Sequence, residues 1–305
     1  MAIIPFDDRD GEIWLDGEFV PWRDAKVHIL THGLHYGSCI FEGERVYDHE
    51  IFKSKEHTDR LFKSAELLSL DVPFSKAEIE AAKVETARRA GFKDAYVRPV
   101  IWRGAGSMGV SAPESGIRCA VAVWEWPSFF PPELVENGIR MEISRWRRPG
   151  PQSAPCTAKA AGLYIICTLA KEEAEAKGLQ DALMYDIEGN LAEATGAHIF
   201  FVKDGEIHTP ALGNFIEGIT RATAIELANA RGITVHERQI KPEELGTFEQ
   251  CFLTGSAAEV MPVGEIAEHK YNVGEITRQM REDYLKLVRR QLVLEKDLPP
   301  RVAVS

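Results

Sequence analysis

The chain has 305 residues, with 36 Lys and Arg against 47 Asp and Glu and a formal charge of −11. Its 45% hydrophobic and 27% charged residues are those of a globular protein with a sizeable core, which excludes a disordered or collagen-like chain. That acidity gives no general attraction to nucleic-acid phosphates or anionic lipid, but leaves room for a small anion held by a few local donors.

In chain order, Glu12–Leu15 and Glu18–Val20 flank Asp16-Gly17 and read as a hairpin, because Asp-Gly tolerates a positive φ. An amphipathic helix is expected over Lys55–Leu70, with Leu61, Ala65 and Leu68 on one face. A second opens on the capping box Ser75-x-x-Glu78 and ends near Gly91. Strand-like runs follow at Ala95–Trp102, Arg118–Trp126 and Ile139–Ser144. The proline-rich stretch Pro127–Pro132 reads as a domain boundary. Beyond it, a helix over Lys159–Lys177 stops at Gly178. Strands are expected at Ala182–Asp186, Leu191–Ala194, His198–Lys203 and Glu206–Thr209. A helix over Thr220–Arg231, strands at Thr234–Gln239 and Gln250–Leu253, and a long helix over Val273–Leu294 complete the chain. Frequent hairpins and an excess of strands predict an α+β fold with mixed sheets. The expected division is a smaller N-terminal α+β domain (1–126), an interdomain loop (127–137) and a larger C-terminal domain (138–305).

Cys39, Cys119, Cys156, Cys167 and Cys251 are scattered and form no C-x-x-C pair, so neither a disulfide framework nor a zinc site is expected. His32 and His35 lack further obvious ligands, and no metal is expected. The N-terminus turns acidic at once and has no apolar leader-like run, and no stretch is long enough to span a bilayer. The expected compartment is the cytoplasm.

Phosphate-loop, nucleophile-elbow and zinc-protease motifs are absent, which favours chemistry carried by a bound cofactor. Lys159 sits in Cys156-Thr157-Ala158-Lys159-Ala160-Ala161-Gly162, a run of small residues unlike the setting of a surface lysine. An ordinary lysine near a helix start is one reading. The other is a Schiff-base lysine, which desolvation makes nucleophilic. Such a lysine on pyridoxal phosphate needs a carboxylate for the pyridine nitrogen, donors for the phosphate and a partner for the phenolic oxygen. Glu193, in the apolar run Leu191-Ala192-Glu193-Ala194, offers the carboxylate, unless it is an outward-facing strand residue. Gly218-Ile219-Thr220 opens a helix whose free amides suit a phosphate, and Gly255-Ser256-Ala257-Ala258 is a second small-residue turn. Either is also compatible with a plain turn or helix start. Tyr164 is a donor five residues after Lys159, or else a core aromatic.

From about Gly11 to Leu292 the chain resembles the class IV pyridoxal-phosphate aminotransferases. The class signature is matched by Glu193–Phe200, Ile207-His208-Thr209 and Ile216–Arg221, with His198 where the family usually has Asn. Within the class it is most similar to branched-chain amino acid aminotransferases, through Val27–Gly37, Phe41-Glu42-Gly43, Ala95–Pro99, Met108-Gly109-Val110 and Gly255–Glu259. The resemblance implies a two-domain fold type IV enzyme, D-amino-acid-aminotransferase-like, with the cofactor between the domains. It implies that Lys159 forms the aldimine and shuttles the proton, and that Glu193 pairs with the pyridine nitrogen. Arg60, Ser256 and the turn Gly218-Ile219-Thr220 would hold the phosphate, and Tyr164 the phenolic oxygen. Tyr96, Ala257 and Ala258 would hold the substrate carboxylate. Tyr36, Phe41, Gly43, Val110 and Trp126 would line the side-chain pocket, some from a second subunit. Arg98 would meet the side-chain carboxylate of glutamate, unless it serves a structural ion pair. Phe129 stands where family members often have Tyr. The implied activity is ping-pong transamination between L-leucine, L-isoleucine or L-valine and 2-oxoglutarate, in a homodimer or higher oligomer.

Three other readings share parts of this pattern. D-amino-acid and (R)-selective amine transaminases use the same cofactor site, and Tyr96-x-Arg98 with Phe41-x-Gly43 disfavours both. Aminodeoxychorismate lyase would need no 2-oxo acid acceptor. A non-enzymatic binding protein would be colourless.

Overall fold

The computed structural model describes residues 4–126, 131–294 and 302–303. Phe129 and most of the proline-rich stretch lie outside the described residues. Two compact units result. The first comprises the described residues up to Trp126, together with Ala158–Gly162 and 302–303; the second comprises 131–157 and 163–294.

The first unit is built on an eight-stranded antiparallel sheet. Its elements are β1 (Glu12–Leu15), β2 (Glu18–Pro21), α1 (His32–Tyr36), β3 (Cys39–Phe41), β4 (Glu44–Tyr47), β5 (Glu50–Ile51), α2 (Ser54–Leu67), α3 (Lys76–Ala90), β6 (Ala95–Arg103) and β7 (Ile117–Glu125). The short strand Val302–Ala303 pairs with β5 and completes the sheet. The β1–β2 turn places Asp16 at φ 50° and Gly17 at φ 99°, the conformation that Asp-Gly permits. β6 is the hub: β7 pairs along its length, β4 with its first half and β3 with its second. The capping box of α3 is closed, with Glu78 N donating to Ser75 Oγ at 3.2 Å and Ser75 N to Glu78 Oε2 at 2.7 Å. Such a cap contributes about 1 kcal/mol.

α2 ends at Leu67, three residues before the expected limit, and Ser69 adopts a left-handed φ of 50°. Buried Lys83 of α3 fastens this helix to β4. Its Nζ donates to Glu44 Oε2 (3.0 Å), the Ser54 carbonyl (3.0 Å) and Thr58 Oγ1 (2.6 Å). Burial still pushes Glu44 up to about 8, against the pull of Lys83.

The second unit contains α4 (Pro132–Asn137), β8 (Ile139–Arg147), α5 (Ile165–Glu175), β9 (Asp181–Tyr185), β10 (Leu191–Ala194), β11 (His198–Lys203) and β12 (Glu206–Pro210). It continues with α6 (Ile219–Ala230), β13 (Val235–Arg238), β14 (Gln250–Gly255), β15 (Glu259–Ile266), β16 (His269–Lys270) and α7 (Glu275–Val288). The nine-stranded sheet is mixed, with parallel pairs β8–β9, β8–β15 and β12–β13. Because β10 pairs with both β9 and β11, the strands β10, β9, β8, β15, β14 and β11 close into a ring.

Strand alternation then decides which side chains fill the barrel. Ile139, Leu183, Leu191, Ile199, Leu253 and Val263 form its core. Each such buried side chain contributes about 1.5–3 kcal/mol. His198 and Thr254, their neighbours in sequence, face outward, and so does Glu193 beside core Ala194, because the register of β10 shifts between Leu191 and Glu193. α6 and α7 pack against β14, and all three residues are buried.

Other elements also differ from expectation. The helix expected from Lys159 begins only at Ile165, after a 3₁₀ turn over Ala161–Tyr164. The preceding residues are held extended against β3: Phe41 N donates to the Lys159 carbonyl at 3.2 Å, and Lys159 N donates to Ser64 Oγ at 3.0 Å. The same bonds place Ala158–Gly162 in the first unit, although in chain order they fall within the expected C-terminal domain. α7 stops at Val288 rather than Leu294, where Arg290 takes φ 57° and Gln291 N closes on the Lys286 carbonyl. β15 is not among the strands expected from the sequence, and it forms with Pro262 and Gly264 inside it.

Candidate active site

Two sets of side chains emerge, one in each unit. In the first, α2 presents His57, Arg60, Leu61 and Ser64 on one face, the i, i+3, i+4, i+7 stripe of a helix. Arg60 grips Glu42 bidentately, Nε to Oε1 at 2.7 Å and Nη2 to Oε2 at 2.8 Å, and His57 Nδ1 lies 2.7 Å from Oε2. Burial alone would raise the Glu42 carboxyl, but Arg60 and His57 outweigh it and hold it well below the usual range. Burial pushes His57 down to about 4, against the pull of Glu42. Arg60, expected as a phosphate ligand, is therefore held in place by a buried carboxylate. Ser64, one turn further along α2, holds the Lys159 amide.

Lys159 Nζ lies 5.0 Å from the centre of the Phe41 ring. On the next strands, Tyr96 stacks on its cross-strand partner Trp124 (5.2 Å, 27°) and tilts against Trp126 (5.1 Å). Arg98 shares the face of Tyr96, two residues on. Its guanidinium carbon lies 4.8 Å from the Phe41 ring centre, 5.3 Å from Tyr96 and 5.8 Å from Trp124. Ala122 stands opposite it and leaves room. No carboxylate among the described residues pairs with Arg98, and its buried Nε has no hydrogen-bond partner.

Gly43 makes this wall possible: a Cβ there would lie 1.9 Å from Tyr96 Oη. Tyr36 and Val110 lie elsewhere. They are 46% and 86% exposed, in an apolar surface formed by the 27–36 segment and the loop at Met108, which His32 joins through Gly109 O at 2.9 Å.

In the second unit, Glu193 Oε1 lies 3.0 Å from Arg148 Nε, an ion pair whose N–H does not point along the contact. Arg148 Nη1 also donates to Cys167 Sγ at 3.2 Å. Burial raises the Cys167 thiol to about 11 despite Arg148. Tyr164, half-buried at the start of α5, is close enough to Arg148 to act on its charge.

α6 begins at Ile219 with Gly218 as its N-cap and no side-chain cap bond. Its first amides and the positive end of its dipole suit an anion. The turn Ser256-Ala257-Ala258 joins β14 to β15. Gly255 ahead of it packs 3.3 Å (as a Cβ) from the Gly196 carbonyl, so this turn lies beside the β10–β11 turn. Across the strands, Glu193, His198 and Thr254 form one row. Thr254 Oγ1 is buried with no partner, an orphan hydroxyl that a bound group would satisfy. A carboxylate acceptor braced by Arg148, an uncapped helix start and an unsatisfied hydroxyl are together a set of groups that fits pyridoxal phosphate.

Sequence reasoning does not single out Glu42's ion pair with Arg60, nor His57, Trp124, Arg148 or Thr254, as parts of the site. Only pairing across the fold brings them in.

Among the described residues, one cluster offers metal-ligating atoms within 4.8 Å of one another: Glu206, His208 and His236. His236 Nε2 is already 2.7 Å from Glu206, and Arg238 Nε donates to His208 Nδ1 at 3.2 Å, placing a positive charge against any cation. Among the described residues, no helix is long and apolar enough to cross a membrane.

The model of the amino-transferase class IV family matches residues 39–266. A probable branched-chain-amino-acid aminotransferase of Rickettsia felis is 40% identical over 293 residues, covering 95% of this chain and all of that protein. A crystal structure of a T.th. branched-chain amino acid aminotransferase with pyridoxamine 5'-phosphate superposes with a TM-score of 0.93 at 37% identity, covering 97% of this chain and 99% of that one. The same enzyme complexed with N-(5'-phosphopyridoxyl)-L-glutamate gives 0.91 at 36% identity, with the same coverage. The chain belongs to the class IV aminotransferases, among the branched-chain-amino-acid aminotransferases.

Proposed function

We propose that this protein uses pyridoxal phosphate to move the amino group between L-leucine, L-isoleucine or L-valine and 2-oxoglutarate. Bound pyridoxal phosphate supplies the electron sink that lets the substrate Cα–H bond ionise. Lys159 holds the cofactor and carries the proton at Cα, as a flexible amine suits. Glu193, paired with Arg148, accepts the pyridine N–H. The Ile219 and Thr220 amides, Ser256 and Arg60 hold the phosphate, and Tyr164 meets the phenolic oxygen. Tyr96 with Ala257 and Ala258 holds the substrate carboxylate.

The observation that carries the substrate choice is Arg98. A pocket that takes both an alkyl side chain and that of glutamate needs apolar walls and one cation that no protein carboxylate has claimed. Arg98 lies against Phe41, Tyr96 and Trp124 without an ion pair among the described residues, which supports this reading.

The apolar surface that carries Ile29, Leu34, Tyr36, Met108 and Val110 supports a homodimer or higher homo-oligomer, since exposed patches of this kind mark association sites. In such an oligomer Tyr36 and Val110 would reach a partner's side-chain pocket. Cytoplasmic residence fits the five free cysteines.

The test is the absorbance of the purified holoprotein. L-Leucine should shift the cofactor band and 2-oxoglutarate should restore it; a spectrum indifferent to both overturns the reading. Arg98→Ala should lower kcat/KM for glutamate at least ~10-fold more than for leucine, the cost of losing a charged hydrogen bond. An equal loss on both would remove the argument from Arg98.

A further inference from the structure

We propose that His198 is a positioning residue that clamps the Ile216–Thr220 turn to β11, the strand paired with the one that carries Glu193, and so sets how tightly this protein holds pyridoxal phosphate. The inference rests on the reading above, in which that turn meets the phosphate and Glu193 the pyridine nitrogen.

Glu193 and His198 are direct cross-strand partners in β10 and β11, joined by the short turn Thr195-Gly196-Ala197. They therefore share the outer face of the barrel. His198 Nε2 lies 2.9 Å from the Ile216 carbonyl. A carbonyl only accepts, so Nε2 carries the proton and donates. The same nitrogen is 3.8 Å from Glu193 Oε2, too far for a hydrogen bond. The imidazole thus directs its Nε2 proton to the turn.

The other edge of the ring meets the far end of the turn. A Cβ on Gly218 would lie 2.5 Å from His198 Cε1 and 2.7 Å from Nδ1. One imidazole therefore bonds the chain at residue 216 and fills the space beside residue 218. Phe215 packs edge-on against it at 5.5 Å. Ile219, next in the chain, opens α6. A turn already held in this shape loses less freedom when an anion binds, which raises affinity without any new contact to the ligand.

Asparagine also presents an N–H but lacks the ring. That separates the two contributions.

The experiment measures the pyridoxal phosphate dissociation constant of refilled apoprotein, by quenching of tryptophan fluorescence. His198→Leu should raise it ~10-fold or more, the effect of stripping a buried carbonyl of its donor. His198→Asn should recover most of that loss. At saturating cofactor, the KM for L-leucine should stay within about twofold in both, as expected of a residue that acts through the turn. Gly218→Ala, which drives the ring out, should cost more in wild type than in the His198→Asn background.

Wild-type protein that binds no pyridoxal phosphate would refute the proposed function. Wild-type binding with unchanged affinity in His198→Leu would refute only the clamp. If His198→Leu does not fold, additive effects of Gly218→Ala and His198→Asn would refute it instead.

Discussion

Arg148 and Glu193 form an ion pair at 3.0 Å with side chains only 5% and 8% exposed, and Arg148 reaches on to the Cys167 sulfur. A buried carboxylate favours its neutral form unless a cation stands beside it. Arg148 is the cation that stands beside this buried carboxylate. Arg148→Met should destabilise the apoprotein by about 3–5 kcal/mol, the usual cost of orphaning one member of a buried pair. Urea unfolding would show this. Arg148→Met/Glu193→Gln should recover much of the stability, and kcat should stay low in both variants. A single variant as stable as wild type would mean the pair is not coupled.

Thr254 allows a test in which stability and binding move in opposite directions. Its hydroxyl is buried without a partner. Thr254→Val keeps the shape and removes the unsatisfied group, so apoprotein stability should hold or rise by about 1 kcal/mol. If the hydroxyl serves the bound cofactor, the dissociation constant for pyridoxal phosphate should rise roughly fivefold or more, by loss of one hydrogen bond. A Thr254→Val protein that loses stability and binds the cofactor normally would place the hydroxyl in an internal bond.

Glu42 and His57 set an acid limit on stability. The His57 pKa is lowered on folding, from 6.5 to about 4, so the unfolded chain binds the proton more readily. Its contribution is fully present above pH 6.5 and is lost as pH falls toward 4. Glu42 is also lowered, from 4.5, so its contribution is present above 4.5 and lost on further acidification. The share of the unfolding free energy carried by His57 and Glu42 should therefore decline from about pH 6.5 downward, opposed between about pH 8 and 4.5 by Glu44, whose raised pKa has the opposite sign; Glu42→Gln should be less stable at neutral pH with a flatter acid limb below 4.5. An unchanged slope in that variant would show that other groups govern acid unfolding.

Gly43 and Tyr96 are in close contact, and a Cβ at 43 would fall 1.9 Å from Tyr96 Oη and 2.8 Å from Cζ. Gly43→Ala should displace the ring at a cost of about 1–3 kcal/mol and raise the KM for leucine about tenfold. Tyr96→Phe in the same chain should return part of the stability, since the nearest clash is with the hydroxyl. A Gly43→Ala enzyme with wild-type KM would argue that the wall does not meet the substrate.

Much of the fold was legible locally. The Asp16-Gly17 hairpin, the α3 capping box and the strands around Glu193 are written in neighbouring residues, because turns, caps and alternation depend on spacings of a few positions. Lys159 stands out for the same reason, as a lysine among small side chains. Its surroundings do not. The residues after Ala158 have helical composition, yet Phe41 and Ser64 hold the Lys159 backbone extended, and a tertiary contact overrides propensity there.

The sequence by itself determined the family and the net acidity, and its local motifs singled out Lys159, Glu193 and the two small-residue turns as candidates. Only the tertiary structure decided what holds those residues in place. Arg148 meets Glu193, Glu42 meets Arg60 and His57, and His198 and Thr254 line up beside Glu193, through strand register and helix packing between distant segments. Register is set by how whole strands pair and bury one face, and a shift of one residue would turn His198 and Thr254 into the barrel core.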